Sequence, residues 1–324
     1  MAEGLGQSTS QSILCCIMMP ADHPVIDICI CTYNRTEYLG YCLDALLTQS
    51  HHESISITVI DNAGNAETKS MVMVRQAHHP QVRYIHEPQT GLSYARNTAW
   101  KQSAAAWILY LDDDCLPMEP FVQEAIALAT PDQMFDAIGG PIEAVYTGEK
   151  PDWLPEGFGS FSMPYTTLIR IESGYIRGGC MMFKRSVLEQ MQGFATHLGV
   201  KGHRLRYGEE IELQIRMRQA GYQIAYAPSL RTGHFVREDK LRLSWLLRSE
   251  YARRRDKMRI EPIGIAQSTV NLLRTSTGRL IRLPAYGFQM LFSKGIDSRK
   301  ISFEFFKPMA YRLGEWVGSV KGKP

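Results

Sequence analysis

"VIDICICTYNRTEYLGYCLDALLTQSHHESISITVID", residues 25–61, decides the fold. Its two ends, Val25 to Tyr33 and Ile55 to Asp61, are short β-branched apolar runs closed by polar residues, the signature of strands. Between them Leu39, Cys42, Leu43, Leu46 and Leu47 recur at helical spacing and mark one apolar stripe. Strand, helix, strand at this period predicts a right-handed βαβ unit with parallel pairing.

The alternation continues with "VRYIHE" from Val82 and "WILYLDD" from Trp107, so successive runs start 30, 27 and 25 residues apart. In open α/β sheets ligands bind beyond the carboxyl ends of the strands. Each run ends there in polar residues: "CTYNR" (31–35), "DNAGN" (61–65), "EPQTG" (87–91) and "DDD" (112–114). Four such clusters in register predict one rim facing one cleft. After Ile138 the chain becomes rich in Gly, Pro and aromatics, which reads as loops or mixed sheet. "GEEIELQIRMRQAG" (208–221) reads as a helix, with Ile211, Ile215, Met217 and Arg218 flanking its apolar face and Gly221 as its stop. "YQIAYAP" follows as a short strand. The expected fold class is α/β, a mostly parallel Rossmann-type sheet flanked by helices. Residues 1–24 are expected to be a flexible leader, 25–236 the sheet domain, and 237–324 a basic amphipathic helical C-terminal extension.

Composition bounds the function. With 44% apolar and 21% charged residues the chain is ordinarily globular. No run reaches the ~20 apolar residues of a membrane span. The apolar patch Ile13 to Met19 has no basic residue before it, so no secretory signal is read, and Met18 or Met19 is a candidate start. Seven cysteines, an odd number without C-x-x-C spacing, point to reduced buried thiols in a cytoplasmic protein and away from a zinc site.

Neither G-x-x-x-x-G-K-[ST] nor a G-x-G-x-x-G after the first strand is present. A nucleotide on this sheet then needs its phosphates held otherwise, and a divalent cation on carboxylates does that. In an extended strand end Asp112 and Asp114 project to one side and Asp113 to the other, where only solubility or a local hydrogen bond accounts for it. The alternative is that the acidic run caps a helix begun by "DCLPMEP".

In motif order over residues 25 to about 236 the chain resembles glycosyltransferase family 2, inverting nucleotide-sugar transferases of GT-A fold. The matching segments are "ICICTYNRTEYLGYCLDALLTQ", "ITVIDNAGN", "GLSYARNTAW", "LYLDDDCLP", "GGCMMFKRSVLEQMQGF" and "GEEIELQIRMRQAGYQIAYAP". The resemblance implies a nucleotide-sugar donor, most simply a UDP-sugar, and Mn2+ or Mg2+ as cofactor. Asp61 would accept a hydrogen bond from the base. Thr32, Tyr33 and Arg35 would line the nucleotide pocket, with Asp113 beside them, and Arg96 would reach base or phosphate. Asp112 would sit near the ribose and the metal, Asp114 would bind the metal, and His234 would complete its site. From the residues themselves, Gly178 and Gly179 either let the backbone approach a sugar or form a turn into a strand, and Trp153 in "DWLPEGFGSF" (152–161) belongs to an acceptor lid or to plain packing. In the family's E-D-x-E-L segment the second position is the general base, which is Glu210 here. Glu in place of Asp is a departure, since a misplacement near 1 Å costs about 100-fold in rate, and it leaves Glu209 as a rival. It also leaves open a nucleotide-sugar-binding protein without turnover. A metal-dependent phosphohydrolase or nucleotidyltransferase is a further alternative.

The net charge of +3 hides an excess between Arg237 and Arg259, nine Lys/Arg against four Asp/Glu. "LRLSWLLRSEYARRRDKMR" (241–259) and "GRLIRLPAYGFQMLF" (278–292) read either as solvated helices packed on the domain or as interfacial helices on anionic lipid. The second reading suits a polyprenyl-linked acceptor at the inner face of a membrane, with a free glycan as the other acceptor class. No nucleic-acid signature accompanies the basic residues.

Overall fold

The computed structural model describes residues 24–202, 204–292 and 297–321. The expected leader, apart from Pro24, lies outside them, as do Met18 and Met19.

The first half alternates as its apolar periods predict: β1 (Ile26–Thr32), α1 (Thr36–Leu47), β2 (Ser56–Asp61), α2 (Ala66–His78), β3 (Val82–His86), α3 (Leu92–Gln102) and β4 (Trp107–Asp112). Then come β5 (Cys115–Pro117), α4 (Phe121–Leu128), β6 (Ala137–Gly139), β7 (Ile142–Val145), β8 (Ile169–Arg170), β9 (Cys180–Lys184), α5 (Arg185–Gln190), α6 (Glu209–Gln219), β10 (Ile224–Tyr226) and β11 (Thr232–Phe235). The chain closes with α7 (Leu243–Ile260), α8 (Ile265–Ile281), α9 (Leu283–Phe292) and α10 (Ser298–Lys321).

Eight strands form one sheet in the order β3-β2-β1-β4-β9-β6-β10-β8. β1, β2, β3 and β4 pair in parallel, whereas β9 runs antiparallel to both β4 and β6. The sheet is thus parallel where the βαβ period is regular and mixed beyond β4. Both faces are covered. Ile26, Ile28 and Ile30 join Leu39, Leu43 and Leu46 of α1 on one side, while Cys29, Ile108 and Tyr110 join Ala95, Ala99 and Leu213 on the other. Burial of both faces explains why "WILYL" and "CMMF" are unbroken apolar runs.

A small sheet, β5-β11-β7, crosses the rim. It sets His234 opposite Cys115, and the Phe235 amide donates to the Asp114 carbonyl at 2.8 Å. Because β5 and its turn intervene, the aspartates do not cap α4, which starts at Phe121. On α6 the buried residues are Glu209, Leu213, Gln214 and Met217, a face rotated from the expected one.

The C-terminal helices are joined to the sheet domain by a satellite core of Trp153, Leu154, Leu246 and Phe303. This corrects the acceptor-lid reading of Trp153, which is 1% exposed with the Arg299 guanidinium 5.3 Å above its ring. The described cysteines, Cys29, Cys31, Cys42, Cys115 and Cys180, are free thiols, and burial pushes Cys31 and Cys180 up to about 12.

Candidate functional site

In the order β3-β2-β1-β4 the connection leaving β1 goes to one side and the chain returning from β3 enters on the other. The cleft at such a switch point is the ligand site of open α/β sheets. Here it holds about 600 Å3 and is walled by Thr32, Tyr33 and Arg35 at the end of β1, Asp112 to Asp114 at the end of β4, and His234 and Lys240 from across the rim.

The aspartates divide their partners. Asp113 and Asp114 lie in a turn rather than in the strand, so the strand's alternation does not govern them. Asp112 and Asp114 line the same cleft but take different partners. Asp112, the last residue of β4, is half-buried and takes Arg96 Nη2 on Oδ1 at 3.3 Å. Asp113 is buried and not turned away: Oδ2 accepts from Thr32 Oγ1 at 2.8 Å and Oδ1 from Arg35 Nη1 at 2.7 Å. Burial raises the Asp113 carboxyl above its usual range against the pull of Arg35. Asp114 is equally buried, and Lys240 Nζ donates to its Oδ2 at 3.3 Å while His234 Nε2 lies 3.4 Å from Oδ1. Burial alone would raise Asp114, but Lys240, His234 and Arg35 hold it at about 2.

Burial lowers the His234 imidazole below its ordinary value, with Asp114 opposing. A neutral ring with Lys240 Nζ 3.2 Å from Nε2 accepts on that nitrogen, which assigns the proton to Nδ1. Nδ1 is buried without a hydrogen-bond partner.

The Asp114 and His234 donors fit a divalent cation. Cis ligands at 2.0–2.1 Å stand about 3 Å apart in an octahedron, close to the observed separation, and such ions take one or two carboxylates plus phosphate oxygens and water. Among the described residues no three His, Cys, Asp or Glu side chains gather at one point, so the remaining ligands must come from the substrate and solvent. The Lys240 ammonium sits between the two donors and must move for a metal to enter.

Other expected site residues have partners within the protein. Asp61 is fully buried; Oδ1 accepts from the amides of Ala63 and Gly64 and Oδ2 from the Asn65 amide and Tyr84 hydroxyl. It orders the loop after β2 and is off the cleft wall, so as the loop stands it does not face a base. Arg96 is also off the wall, 2% exposed, donating to Glu209 Oε1 at 2.7 Å and to the Gly178 carbonyl at 3.3 Å besides Asp112. Tyr110 and Phe194 lie under its guanidinium. Gly178 and Gly179 turn into β9; a Cβ at 178 would stand 2.8 Å from Arg96 Nη2, and one at 179 would stand 3.1 Å from Ile142 Cδ1.

Gly208, at φ +102°, turns the chain from the cleft wall at Tyr207 into α6. Glu209 then points inward to Arg96, and burial pushes its carboxyl up to about 8, with Glu210 adding and Arg96 opposing. Glu210 is half-buried, and among the described residues no ion pair ties it.

Sequence reasoning missed Lys240, Arg237, Trp245 and Arg248 on the cleft wall. Their signal was the onset of the basic run at Arg237, taken as a tail.

The Glycosyl transferase family 2 model matches residues 27–192. The chain is 27% identical to "Succinoglycan biosynthesis protein ExoM" of Rhizobium meliloti over 238 residues, 72% of this chain and 74% of that one. Its fold is similar to mannosyltransferase PcManGT from Pyrobaculum calidifontis, solved with GDP-Man and Mn2+, at TM-score 0.61 and 18% identity over 94% and 89% of the two chains. It is similar also to GalNAc-T7, solved with UDP, GalNAc and Mn2+, at TM-score 0.54 and 16% identity over 71% of this chain and 48% of that one. A GT-A fold with a matching family model over half its length makes this chain a member of glycosyl transferase family 2, and so a glycosyltransferase.

Proposed function

We propose that this glycosyltransferase is metal-dependent and inverting, moving a sugar from a nucleoside diphosphate sugar, with UDP as carrier, to a hydroxyl of a glycan or polyprenyl-linked acceptor. The observation that carries the reading is the Asp114–His234 pair, 3.4 Å apart in the cleft at the β1/β4 switch. Asp114 and His234 would hold Mn2+ or Mg2+. The bound ion supplies Lewis-acid stabilisation of the leaving diphosphate.

The chain's own residues do the rest. Glu210 takes the proton of the acceptor hydroxyl as that oxygen attacks the anomeric carbon opposite the diphosphate. The bond from that carbon to the diphosphate oxygen breaks, and its electron pair leaves with the nucleoside diphosphate. Glu209 is spoken for by Arg96 and positions the first turn of α6. Lys240, Arg237 and Arg248 stand on the wall where the diphosphate's negative charge must lie. UDP is retained from the family resemblance, although Asp61 and Arg96, which suggested it, have other partners in this structure.

A donor screen tests the proposal: release of UDP, GDP and TDP with and without Mn2+ or Mg2+, in the presence of saccharide and polyprenyl-linked acceptors. Acceptor-dependent, metal-stimulated UDP release is expected. Release of free phosphate or pyrophosphate would assign hydrolysis or nucleotidyl transfer instead. Binding of UDP and Mn2+ with no turnover on any pair would assign a binding protein.

A further inference from the structure

Of the two basic amphipathic stretches, the structure packs one and leaves the other bare. Helix α7 buries Leu246, Ala252 and Met258, and its Arg254 is paired with the buried Glu315 of α10. Helix α8 is built inside out. Its inward side is polar: Ser268 meets Ser319 at 2.6 Å, Thr269 accepts from the Trp316 indole, and Asn271 donates to Glu315 at 2.7 Å. Its opposite side carries Ala266, Val270, Leu273, Leu280 and Ile281 at helical spacing, all exposed, with Leu280 at 67% and Ile281 at 74%. Helix α9 continues the apolar surface with Phe288, Leu291 and Phe292, and Leu291 is 80% exposed.

We infer that the outer face of α8 and α9 docks on an anionic lipid surface. Residues 265–292 contain Arg274, Arg279 and Arg282 and no Asp or Glu. Arg274 and Arg282 are exposed beside the apolar stripe. An apolar face bordered by arginines and aromatics matches the acyl and headgroup zones of an anionic interface. A second copy fits worse, because a two-fold contact sets a patch against itself and would oppose arginines with no acid between them. No described helix is long and apolar enough to cross a membrane, so the helices would lie along the surface. Through α10, α8 is joined to α7, whose Trp245 and Arg248 stand on the cleft wall. The inference does not depend on the transfer reaction; vesicle binding by a chain that transfers nothing would leave it intact.

The full chain is sedimented with neutral phosphatidylcholine vesicles and with vesicles containing one quarter phosphatidylglycerol, at low and high salt. Binding is expected on the anionic vesicles, about a hundredfold weaker for R274E/R282E and at least about tenfold weaker for L280Q/L291Q, with unchanged melting temperatures for both variants. Failure of the parent chain to bind anionic vesicles at low salt overturns the inference, as does equal binding by both variants. So does a dimer, seen by light scattering, that L280Q/L291Q dissociates while vesicle binding is untouched.

Discussion

Arg96→Met separates a structural role for this arginine from a nucleotide-binding one. Its side chain is 3% exposed and forks to Glu209, also nearly buried, and to Asp112 and the Gly178 carbonyl. Removing one member of a buried pair costs about 3–5 kcal/mol when the other charge is left uncompensated; Glu209, already pushed up to about 8 by burial, takes up a proton once Arg96 is gone, which holds the cost to about 3 kcal/mol. At about 2–4 °C per kcal/mol for a domain of this size, the melting temperature should fall by roughly 6–12 °C. Adding Glu209→Gln to Arg96→Met removes the proton uptake forced on the stranded carboxyl and should recover part of that loss, with a coupling of about 0.5–3 kcal/mol. Arg96→Lys should not rescue, since an ammonium cannot reproduce the planar fork. The assay is a denaturant double-mutant cycle with UDP titrations on the same samples. A melting point for Arg96→Met within about 2 °C of the parent, together with lost nucleotide binding, would refute the reasoning and return Arg96 to the donor pocket.

Glu210→Gln should lower turnover by about 10²- to 10⁴-fold with donor affinity kept, as loss of a general base does; parental turnover would shift the role to another carboxylate. Lys240→Met should tighten nucleotide-free Mn2+ binding, followed by electron paramagnetic resonance, because the ion no longer displaces a charged hydrogen bond worth about 1.5–3 kcal/mol, roughly 10- to 100-fold. Weaker Mn2+ binding would mean that Lys240 shapes the site rather than occupying it. His234 is held below its ordinary value in the folded chain. As pH falls the unfolded chain takes the proton first, so this residue's contribution is present above about pH 6.5 and is lost on acidification. Urea midpoints should drop more between pH 7.5 and 5.5 for the parent than for His234→Gln; parallel drops would contradict the assignment.

The parallel half of the sheet was legible because its buried strands and amphipathic helices impose two distinct periods on residues 25–112. The antiparallel entry of β9 was not, since "CMMFK" is equally apolar whichever way it pairs. In the cleft the residue types could be read, but their aim could not. The turn at Asp113 and Asp114 cancels strand alternation, and the side chains that settle each carboxylate arrive from distant sequence: Arg35 onto Asp113, Lys240 and His234 onto Asp114. Asp61 shows the limit from the other side, because a carboxylate after a parallel strand looks the same whether it faces a ligand or its own loop. The stripe on α8 has the same spacing as a core face, and only packing shows that its polar side is the one turned inward.

The resting cleft is already electrically balanced, and this constrains how a donor enters it. Asp113 and Asp114 face Arg35 and Lys240 at hydrogen-bond distance, while Asp112 faces Arg96. A diphosphate alone would add negative charge beside three carboxylates whose nearest cations are engaged. A divalent cation arriving with it offsets that charge, yet the position between Asp114 and His234 cannot hold both the ion and the Lys240 ammonium. Under the proposed function Asp114 and His234 would hold the ion, and Lys240, without its place on Asp114, would be available to a diphosphate. On that reading a side chain that looks like an obstruction would be a counter-charge held in reserve, and it lies in the stretch between β11 and α7, outside the residues that the family model matches.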